Sequence, residues 1–525
     1  MDFVGDRRGQ SIQIGAVLLF GVLIIAFSSY QAFVVPEQNR EVEFNHNQEV
    51  QSDIQDLRNA IVSVPGATSS QGISVKLSTR YPSRLVARNP GPPSGSLRTD
   101  GTTDMQYNIT VRNAAAKGET GDIWNGTARP YNTGAIAYTP DYSLYTNAPT
   151  TYYEQSVAYN QFPTANITLS EQSMVNGRDI TLVALNGSLR RSSGGSTSVD
   201  VRPVSRSDDP IIVRNDTATT NVSISVPTRL PESKWEELLA DEIDDNPGDL
   251  SNDRYIADVT TTDGPGPYYT LTITFERGAN YRLRMAKAGV GDGVSSESAA
   301  YLTDVRGDGS KVTDDISEVV LEVRDEYNNP VQGVTVYGGV DSGSDGSLVE
   351  GEAVSDNDGQ VTFEYDATGV TPGTQQLNFS YRGLDGNFDG TAPENVSLDV
   401  TVTVQNGDTG GGGGDDGGDG GDGSPPSIDS FSASEQGNSD KINVDATFSD
   451  PDDNLDQVVI TVYRDFLFFR TQVYTATEEL DPAGDSIDRS LAGGRKFDSG
   501  SYIVELSLSD SAGNTVTEDR DLFIS

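Results

Sequence analysis

The stretch YYTLTITFERG, residues 268–278, shows which kind of fold the middle of this chain adopts. Leu271, Ile273 and Phe275 alternate with threonines, and a glycine ends the run. Successive side chains of a strand point to opposite faces, so this alternation predicts a β-strand with one buried face. Four further segments have the same character: ISVKLSTRYPSRL (73–85), YNITVRN (107–113), ITLVAL (180–185) and VSISVPTRL (222–230). The sequence therefore predicts a β-rich, sandwich-like region from residue 66 to residue 305.

One short helix interrupts these strands, in the segment PESKWEELLADE. Ser233 is followed three residues later by Glu236, which is the spacing of a capping box at a helix start. Trp235, Leu238 and Leu239 would then be available to pack on the neighbouring sheet. The order of the strands around this helix does not follow from the sequence.

The composition bounds the kind of protein and its partners. The 525 residues give room for about three or four domains, and the net charge of −43 excludes nucleic acid as a predicted partner, because its phosphates would be repelled. Only seven of the 36 basic residues are lysine. Acidic, lysine-poor chains are typical of organisms that live in near-saturated salt, where charges are screened beyond about 3 Å. An acidic extracellular protein that binds divalent cations is the alternative interpretation, and we favour the first.

Cysteine and histidine usage excludes several classes of site. The chain has no cysteine, so it has no disulfide, thiolate metal site or cysteine nucleophile. Its single histidine is His46, which any Ser/His/Asp triad or histidine zinc site would have to use. His46 lies in a polar stretch that is predicted to be helical, and we expect a solvated side chain there.

The N-terminal segment has the length and composition of a membrane span. No charged residue lies between Gln10 and Val35, and the apolar run from Ile14 onward can cross a hydrocarbon core of about 30 Å as a helix. Arg7 and Arg8 precede it, so the positive-inside rule places the first residues in the cytoplasm and the bulk of the chain outside.

An amphipathic pattern continues beyond this apolar run. Val50, Ile54, Leu57, Ile61 and Val64 recur at spacings of four and three residues, with polar residues between them. Such spacing predicts a helix with one buried face, and the Pro-Gly pair that follows would end it. We call these five residues the helix seam, and we expect the seam to pack on the next domain.

Three fates are open to the apolar segment. Ala26-Phe27-Ser28 would serve a secretory signal as a weak cleavage site, but the apolar run is long and helical pattern continues past it. Arg7-Arg8 suggests a twin-arginine export signal, although the residues after the pair fit that signal poorly. The third fate is a helix that is retained after processing.

The third fate is supported by a resemblance. RGQS (8–11), followed by Ile14-Gly15 and Leu18, resembles the N-terminus of archaeal type IV pilins and pilin-like proteins, especially those of haloarchaea. The resemblance implies that a prepilin peptidase cuts between Gly9 and Gln10 and that the apolar helix is kept. Many pilins have Glu at the fifth mature position, where this chain has Ile14. The phrases TRYPSRLVARNPGPPSGSLRT and YRLRMAKAGVG are similar to segments of haloarchaeal pilin-like proteins as well.

The middle region offers candidate modification and ligand sites. In an exported protein the N-x-[ST] triplets are candidate glycosylation sites, namely Asn108, Asn125, Asn166, Asn186, Asn215, Asn221, Asn378 and Asn395. The aromatic-rich stretch from Tyr138 to Phe162 has two interpretations. It could be a sugar-stacking surface, but tyrosines of β-rich proteins are more often half-buried in strands, and we favour that.

Two strand-rich modules follow the middle region. Residues 316–404 have strands at the spacing of a small sandwich. Their turn residues resemble the invasin/intimin-type Ig-like repeat, namely Asp325, Asn329-Pro330-Val331, Gly333, Asp358-Gly359 and Pro372-Gly373-Thr374. That resemblance implies a spacer or binding unit of a surface adhesin and no catalysis.

A Gly/Asp-rich segment, residues 406–427, is predicted to be a flexible tether between the modules. The second module, residues 428–525, is similar to polycystic-kidney-disease-type or cadherin-like Ig modules through SDPDDNLD. In it Asp450, Asp452, Asn454 and Asp456 present oxygens at alternate positions, the spacing with which one loop can bind calcium. A plain acidic turn is the alternative, and we favour it, so that no cofactor is predicted apart from this calcium candidate.

The sequence thus predicts a mainly β protein with an N-terminal transmembrane and stalk helix, a β-rich ectodomain and two C-terminal Ig-like β-sandwiches. The predicted boundaries are 1–9 for a cytoplasmic leader, 10–64 for the transmembrane and stalk helix, 66–305 for the ectodomain, 312–405 for the first module, 406–427 for the linker and 428–525 for the second module. We expect a single-pass protein of the cell membrane, with its bulk extracellular.

The expected role is adhesion or surface interaction, and the expected partners are the membrane and other pilin-like subunits; surface or glycan ligands stay open. A surface enzyme such as a glycosidase is an alternative, because two carboxylates suffice for that chemistry, but no catalytic motif is present and we predict no enzyme. A structural component of the cell envelope is the third hypothesis.

Overall fold

A computed structural model gives the fold of residues 8–524, with gaps. The residues not described are 85–87, 103–106, 193, 207–209, 216, 249, 251–252, 314–315, 385–387, 404–425, 436–441, 450–454, 467–468, 481–483, 492–499 and 511–514. The described part is mostly β-strand, which confirms the predicted fold class. It divides into two compact units, residues 1–407 and 408–525.

The chain begins with one long helical stretch. Helix α1 (Arg8–Ser29) continues through a π-helical turn (Tyr30–Val34) into helix α2 (Val35–Val62). The helix seam is confirmed, since all five of its residues are buried against the head that follows. We use "the head" for the β-rich part up to residue 298. The helix ends before the Pro-Gly pair, as predicted.

The head contains 18 named strands and two short helices. The strands are β1 (Gln71–Lys76), β2 (Ser94–Asp100), β3 (Asn108–Arg112), β4 (Ala114–Ala115), β5 (Arg129–Asn132), β6 (Ala135–Asp141), β7 (Thr150–Glu154), β8 (Val157–Gln161), β9 (Asn166–Thr168), β10 (Val175–Asn176), β11 (Asp179–Asn186), β12 (Arg190–Arg191), β13 (Ser196–Ser205), β14 (Ile211–Asn215), β15 (Ser223–Thr228), β16 (Ile256–Asp263), β17 (Tyr269–Phe275) and β18 (Tyr281–Val290). The helices are α3 (Thr120–Ile123) and α4 (Glu232–Leu238).

Three sheets build the head. One has the order β1-β13-β18-β11-β10, with β14 also on β18; the second is β12-β2-β6-β7-β8-β9, and the third is β16-β17-β15-β3-β5. The opening stretch therefore forms β17, whose Leu271, Ile273 and Phe275 are buried as the alternation predicts. Most pairs are antiparallel, but β11 and β18 run parallel. That pairing departs from the all-antiparallel sandwich that short alternating strands suggest.

Two apolar cores lie between these sheets. The first contains the helix seam together with residues of the first two sheets, such as Val75, Ile136 and Ala288. The second contains Trp124 and Trp235 with residues of the third sheet. Because α2 supplies a whole layer of the first core, the head and the helix fold as one body.

Helix α4 forms where it was predicted, but its capping box does not. The helix begins at Glu232 with Pro231 at the N-cap, and no side chain caps it. Ser233 therefore lies inside the first turn, where its hydroxyl is in the wrong place to cap the helix. Trp235 and Leu239 are buried and Leu238 packs beside them, as expected.

The first module is a sandwich of two sheets. Its strands are β19 (Tyr301–Arg306), β20 (Ser310–Thr313), β21 (Ile316–Arg324), β22 (Thr335–Val340), β23 (Ser347–Leu348), β24 (Glu352–Val354), β25 (Gln360–Asp366), β26 (Gly373–Ser380) and β27 (Asn395–Thr403). The sheet orders are β19-β21-β25-β23 and β20-β27-β26-β22-β24. Strand β19 begins before residue 305, the predicted end of the middle region, yet it pairs with β21. The module therefore starts several residues earlier than the predicted 312, because a short strand does not show in its own sequence which sheet it joins.

The second module forms the other compact unit. Its strands are β28 (Ser427–Glu435), β29 (Ile442–Ser449), β30 (Leu455–Phe466), β31 (Phe469–Glu479), β32 (Gly484–Leu491), β33 (Gly500–Asp510) and β34 (Thr515–Ile524). They make two sheets, β28-β29-β32 and β31-β30-β33-β34, around a core that includes Val444, Ile460 and Leu506. The predicted linker falls almost entirely in residues 404–425, outside the described residues.

Candidate functional site at the junction of helix and head

Helix α1 presents apolar side chains to its surroundings on all sides. By length and composition, the stretch from residue 13 to residue 62 is the one described helix that could cross a membrane, and its most apolar window is unburied. The large exposed apolar side chains are Ile14, Val17, Leu18, Leu19, Phe20, Val22, Leu23, Ile24, Ile25, Phe27, Tyr30, Phe33 and Val34. Such a surface is unfavourable in water and matches a lipid environment.

A buried carboxylate, Glu43, fixes the first turns of α2 to the head. Its side chain is fully buried, and Tyr81 donates a hydrogen bond to Oε1. The backbone N–H of Ser143 donates to Oε1 at 3.0 Å, and those of Leu144 and Tyr145 donate to Oε2 at 2.8 and 2.5 Å. Four donors on two head segments thus converge on one helical residue. Burial and the neighbouring carboxylate raise the pKa of Tyr81, so its hydroxyl stays a donor.

His46 is buried rather than solvated, which corrects our expectation. Its side chain is 1% exposed, and Nδ1 lies 2.7 Å from the hydroxyl of Tyr142. Nε2 is buried and has no hydrogen-bond partner among the described residues. Burial lowers the pKa of His46 and outweighs the opposing effect of the Lys76 backbone. The expectation failed because it counted the polar neighbours of His46 in sequence and not the face of α2 on which it lies.

A segment of the head runs back along the helix toward its apolar half, the candidate membrane span. We call residues 78–93 the juxtamembrane loop; its residues 85–87 are not described. Arg84 holds the described parts in place, since Nη1 donates to the Tyr30 hydroxyl at 2.9 Å and to Gln38 Oε1 at 2.7 Å. The same guanidinium donates to Asn39 and Asn89, both at 3.1 Å. One head arginine therefore bridges three positions of the helix.

Gln31 makes a reciprocal contact at the same level. Its side-chain Nε2 donates to the carbonyl oxygen of Arg88, and its Oε1 accepts from the N–H of Arg88, both at 3.1 Å. An amide that pairs with both backbone groups of one residue fixes that residue's position and orientation. The juxtamembrane loop thus lies beside the last turns of the apolar helix.

The aromatic-rich stretch packs inside the protein, as the favoured interpretation expected. Tyr138, Tyr153 and Tyr159 are almost completely buried. Tyr142 and Tyr145 stack on each other at 6.2 Å, beside the polar face of α2. The rings of Tyr138, Tyr153 and Tyr159 are therefore not part of a sugar-stacking surface, whereas Tyr142 and Tyr145 are half-buried.

The first module is attached to the head by a turn between β21 and β22. Asn329 is 1% exposed, and its Nδ2 donates to Ser205 and to the carbonyl oxygen of Met285. The Tyr327 ring is buried in the second core of the head, 4.8 Å from the ring of Tyr131. The Tyr131 hydroxyl donates back to the Glu326 carbonyl at 2.9 Å. Head and first module are thus locked together by buried contacts.

An open groove of about 980 Å³ lies on the surface of the head. It is lined by Thr168, Leu169, Ser170, Glu171, Gln172, Ser173, Val175, Asn176, Asp179, Thr181, Glu237, Leu238, Asp241, Glu242, Arg282 and Arg284. Asp179 is paired with both arginines, which lower the pKa of its carboxyl. None of these lining side chains is aromatic, so the groove offers no ring on which a sugar could stack.

The predicted processing and calcium residues lie mainly where side chains are not described. Gly9 and Gln10 belong to the first turns of α1, but only their backbone is described. Asp450, Asp452 and Asn454 fall outside the described residues, and Asp456 lies in β30 without a described side chain. Elsewhere in the described part, no group of three His, Asp or Glu side chains could hold a metal ion.

The eight candidate glycosylation sites differ in how accessible their amides are. Asn125 is exposed, and Asn395 is only 8% exposed. Several side-chain amides already donate to other groups: that of Asn221 to Phe275, that of Asn378 to Asp341 and that of Asn395 to Asp389. The remaining sites, Asn108, Asn166, Asn186 and Asn215, are half-buried on strands of the head.

Comparison with known proteins gives few relatives. No family model matches the chain. A protein of Archaeoglobus fulgidus, described as "Uncharacterized protein", is 23% identical over 421 residues, which are 77% of this chain and 65% of that protein. The chain thus spans slightly less than two thirds of the length of this relative.

Solved structures with similar parts are β-rich. The D0-D1 domain of intimin is 12% identical, with a TM-score of 0.17, and covers 43% of this chain and 99% of its own. Domains 5-6 of the S-layer protein SbsC are 13% identical, with a TM-score of 0.15, and cover 44% of this chain and 98% of their own. The Escherichia coli adhesin FdeC is 11% identical, with a TM-score of 0.16, and covers 62% and 92%. At such TM-scores the similarity transfers no function.

Proposed function

We propose that this chain is a pilin-like surface protein of a halophilic archaeon, anchored in the cell membrane by its N-terminal helix and working in adhesion or surface interaction. The observation that carries the proposal is the division of one continuous helix into two halves. Its first half, up to Val34, exposes apolar side chains, and its second half is built into the head through the helix seam. A signal peptide is removed from the mature protein, so we would not expect it to be continuous with a helix that forms part of the mature core.

The surrounding features agree with this role. The RGQS junction resembles a prepilin processing site, the acidic, lysine-poor composition suits a high-salt habitat, and the relative described above is archaeal. The head and the two Ig-like modules each offer surfaces on which other pilin-like subunits or surface ligands could bind. The proposed role is non-catalytic, and the candidate glycosylation sites suit exposure outside the cell.

The test is the mature N-terminus of the protein, purified from the membrane fraction of its own host and determined by mass spectrometry. A chain that begins at Gln10 and remains in the membrane supports the proposal. A chain that begins at Met1 or Asp2 excludes prepilin processing. An N-terminus between Ser29 and Phe33, with the protein in the medium, would instead indicate ordinary secretion.

A further inference from the structure

The distribution of charge along the chain has one pronounced exception. The chain contains 79 acidic residues, yet none lies between Asp56 and Asp100. The same stretch carries six basic residues, listed in order as Arg58, Lys76, Arg80, Arg84, Arg88 and Arg98. The juxtamembrane loop occupies its centre and contributes three arginines and no acid. A local positive charge of this kind on a strongly acidic protein indicates a partner that is itself negative.

The contacts of the juxtamembrane loop place it at the edge of the membrane span. Arg84 and Arg88 are bonded to Tyr30 and Gln31. From Ile14 to Tyr30 a helix rises about 24 Å, and the hydrocarbon core of a bilayer is about 30 Å thick. Tyr30 therefore lies near the outer boundary of the core, where tyrosine is enriched in membrane proteins. The loop beside it lies at the depth of the lipid headgroups.

Two of the three arginines are available to bind a ligand. Arg84 donates to four groups within the protein, so it positions the loop. The side chains of Arg80 and Arg88 are exposed and make no hydrogen bond or ion pair with the described residues. A guanidinium offers five N–H donors in a planar fork that matches the oxygens of a phosphate.

We propose that Arg80 and Arg88 bind the phosphates of anionic lipids in the outer leaflet, so that the juxtamembrane loop rests on the membrane surface. The inference depends on the proposed membrane anchor. Together with Gln31 and Arg84, the two arginines fix the height of the head above the bilayer.

The absence of cysteine from the natural sequence allows a direct test with the full chain. Ser83 is exposed within the loop, and Ser342 is exposed in the first module. We would label Ser83→Cys or Ser342→Cys with a fluorophore and reconstitute each protein in nanodiscs that contain headgroup spin-labelled lipid as a quencher. Discs of phosphatidylglycerol are compared with discs of phosphatidylcholine, in the salt in which the protein is folded.

The expected result is strong quenching of the Ser83 label in phosphatidylglycerol discs, little quenching of the Ser342 label, and weaker quenching at Ser83 in the double variant R80Q/R88Q, in which Arg84 and Gln31 still hold the loop to the helix. The matched control is R190Q/R277Q, which removes two exposed arginines elsewhere in the head and should leave the quenching unchanged. Insertion into discs without quenching at Ser83 overturns the placement of the loop. Quenching that is equal in both lipids and insensitive to R80Q/R88Q overturns phosphate binding.

The experiment distinguishes an error in the proposed membrane anchor from an error in the proposed lipid contact of the loop. A chain that elutes free of the discs overturns the membrane anchor and this inference together. A chain that elutes with the discs but keeps an unquenched Ser83 label leaves the anchor standing and overturns the inference alone.

Discussion

Asn329 in the first module donates its side-chain amide to the carbonyl oxygen of Met285 in the head, at 3.1 Å. Along β18, the pairing with β13 ends at Lys287 and the pairing with β14 begins at Leu283. Met285 lies in the gap between these two pairings. A side chain from the module thus supplies a hydrogen bond where the sheet edge has no strand. A buried hydrogen bond to the head sheet therefore helps to fix the orientation of the first module relative to the head.

Replacing Asn329 with alanine should weaken this attachment. The change leaves the buried Met285 carbonyl without its donor, which costs about 1–3 kcal/mol. Trp124 and Trp235 both lie in the core that Tyr327 enters, so denaturant unfolding followed by tryptophan fluorescence reports the loss. The control Asn357→Ala changes an exposed turn residue of the same module and should leave the unfolding midpoint in place. Equal midpoints for N329A and N357A would contradict the proposed lock.

Glu43→Gln tests the attachment of the helix to the head. Glutamine keeps the size of the side chain but turns one acceptor into a donor that faces backbone N–H groups. We expect a loss of about 3 kcal/mol in the free energy of unfolding, because buried donors lose their acceptor. The matched variant Glu41→Gln removes an exposed carboxylate two residues away and should be neutral. Limited proteolysis should cut E43Q faster than E41Q in the segment that follows β6.

The sequence predicts the apolar half of this junction but not the polar half. Val50, Ile54 and Leu57 were recognised because apolar residues at helical spacing indicate a buried face. The same face continues toward the apolar half of the helix through Asn39, Glu43 and His46, again at spacings of four and three. The signal was therefore present, as polar residues in register with the helix seam. It was missed because polar residues are ordinarily assigned to the solvent, and only the fold shows that head segments supply their partners.

The strands were predictable for the same reason as the helix seam, because the alternation of apolar and polar residues is visible in the sequence. Their partners were not, because pairing depends on residues far apart: β17 follows β3 by more than 150 residues, yet both lie in one sheet. The start of the first module was misplaced at β19 for a related reason. Nothing in Tyr301–Arg306 itself distinguishes a strand of the module from a strand of the head.

His46 should titrate below the ordinary pKa of histidine. Burial favours the neutral imidazole in the folded protein, so the unfolded chain takes up its proton first as the pH falls through about 6.5. The contribution of His46 to stability is therefore lost below that pH. The chain has one histidine, and its imidazole resonance gives the pKa directly by NMR. A midpoint at or above 6.5 would contradict the prediction, and H46Q should lose less stability than the natural protein between pH 7.5 and 5.5.

Asp304 should show the opposite dependence on pH. Its burial in β19 and its contact with Glu119 of the head raise the pKa of the carboxyl to about 7. The folded protein then holds a proton that the unfolded chain has released, so stability falls as the pH rises from about 4 to 7. Asp304→Asn removes the charge, and we expect its Tm to exceed that of the natural protein at pH 8, with a smaller gain at pH 5. Asp200→Asn, at an exposed position, should show no such dependence.

Glycosylation, if it acts on the folded head and module, should discriminate among the candidate asparagines. Transfer of a glycan requires a free side-chain Nδ2 that the enzyme can reach. Asn395 is buried and its Nδ2 donates to the Asp389 carbonyl at 2.8 Å, whereas Asn125 is exposed and its Nδ2 makes only a long contact of 3.3 Å. We therefore expect glycopeptide mass spectrometry of the native protein to find Asn125 occupied and Asn395 unmodified. An occupied Asn395 would show that the glycan is added before the module folds, because the folded strand leaves no room for it.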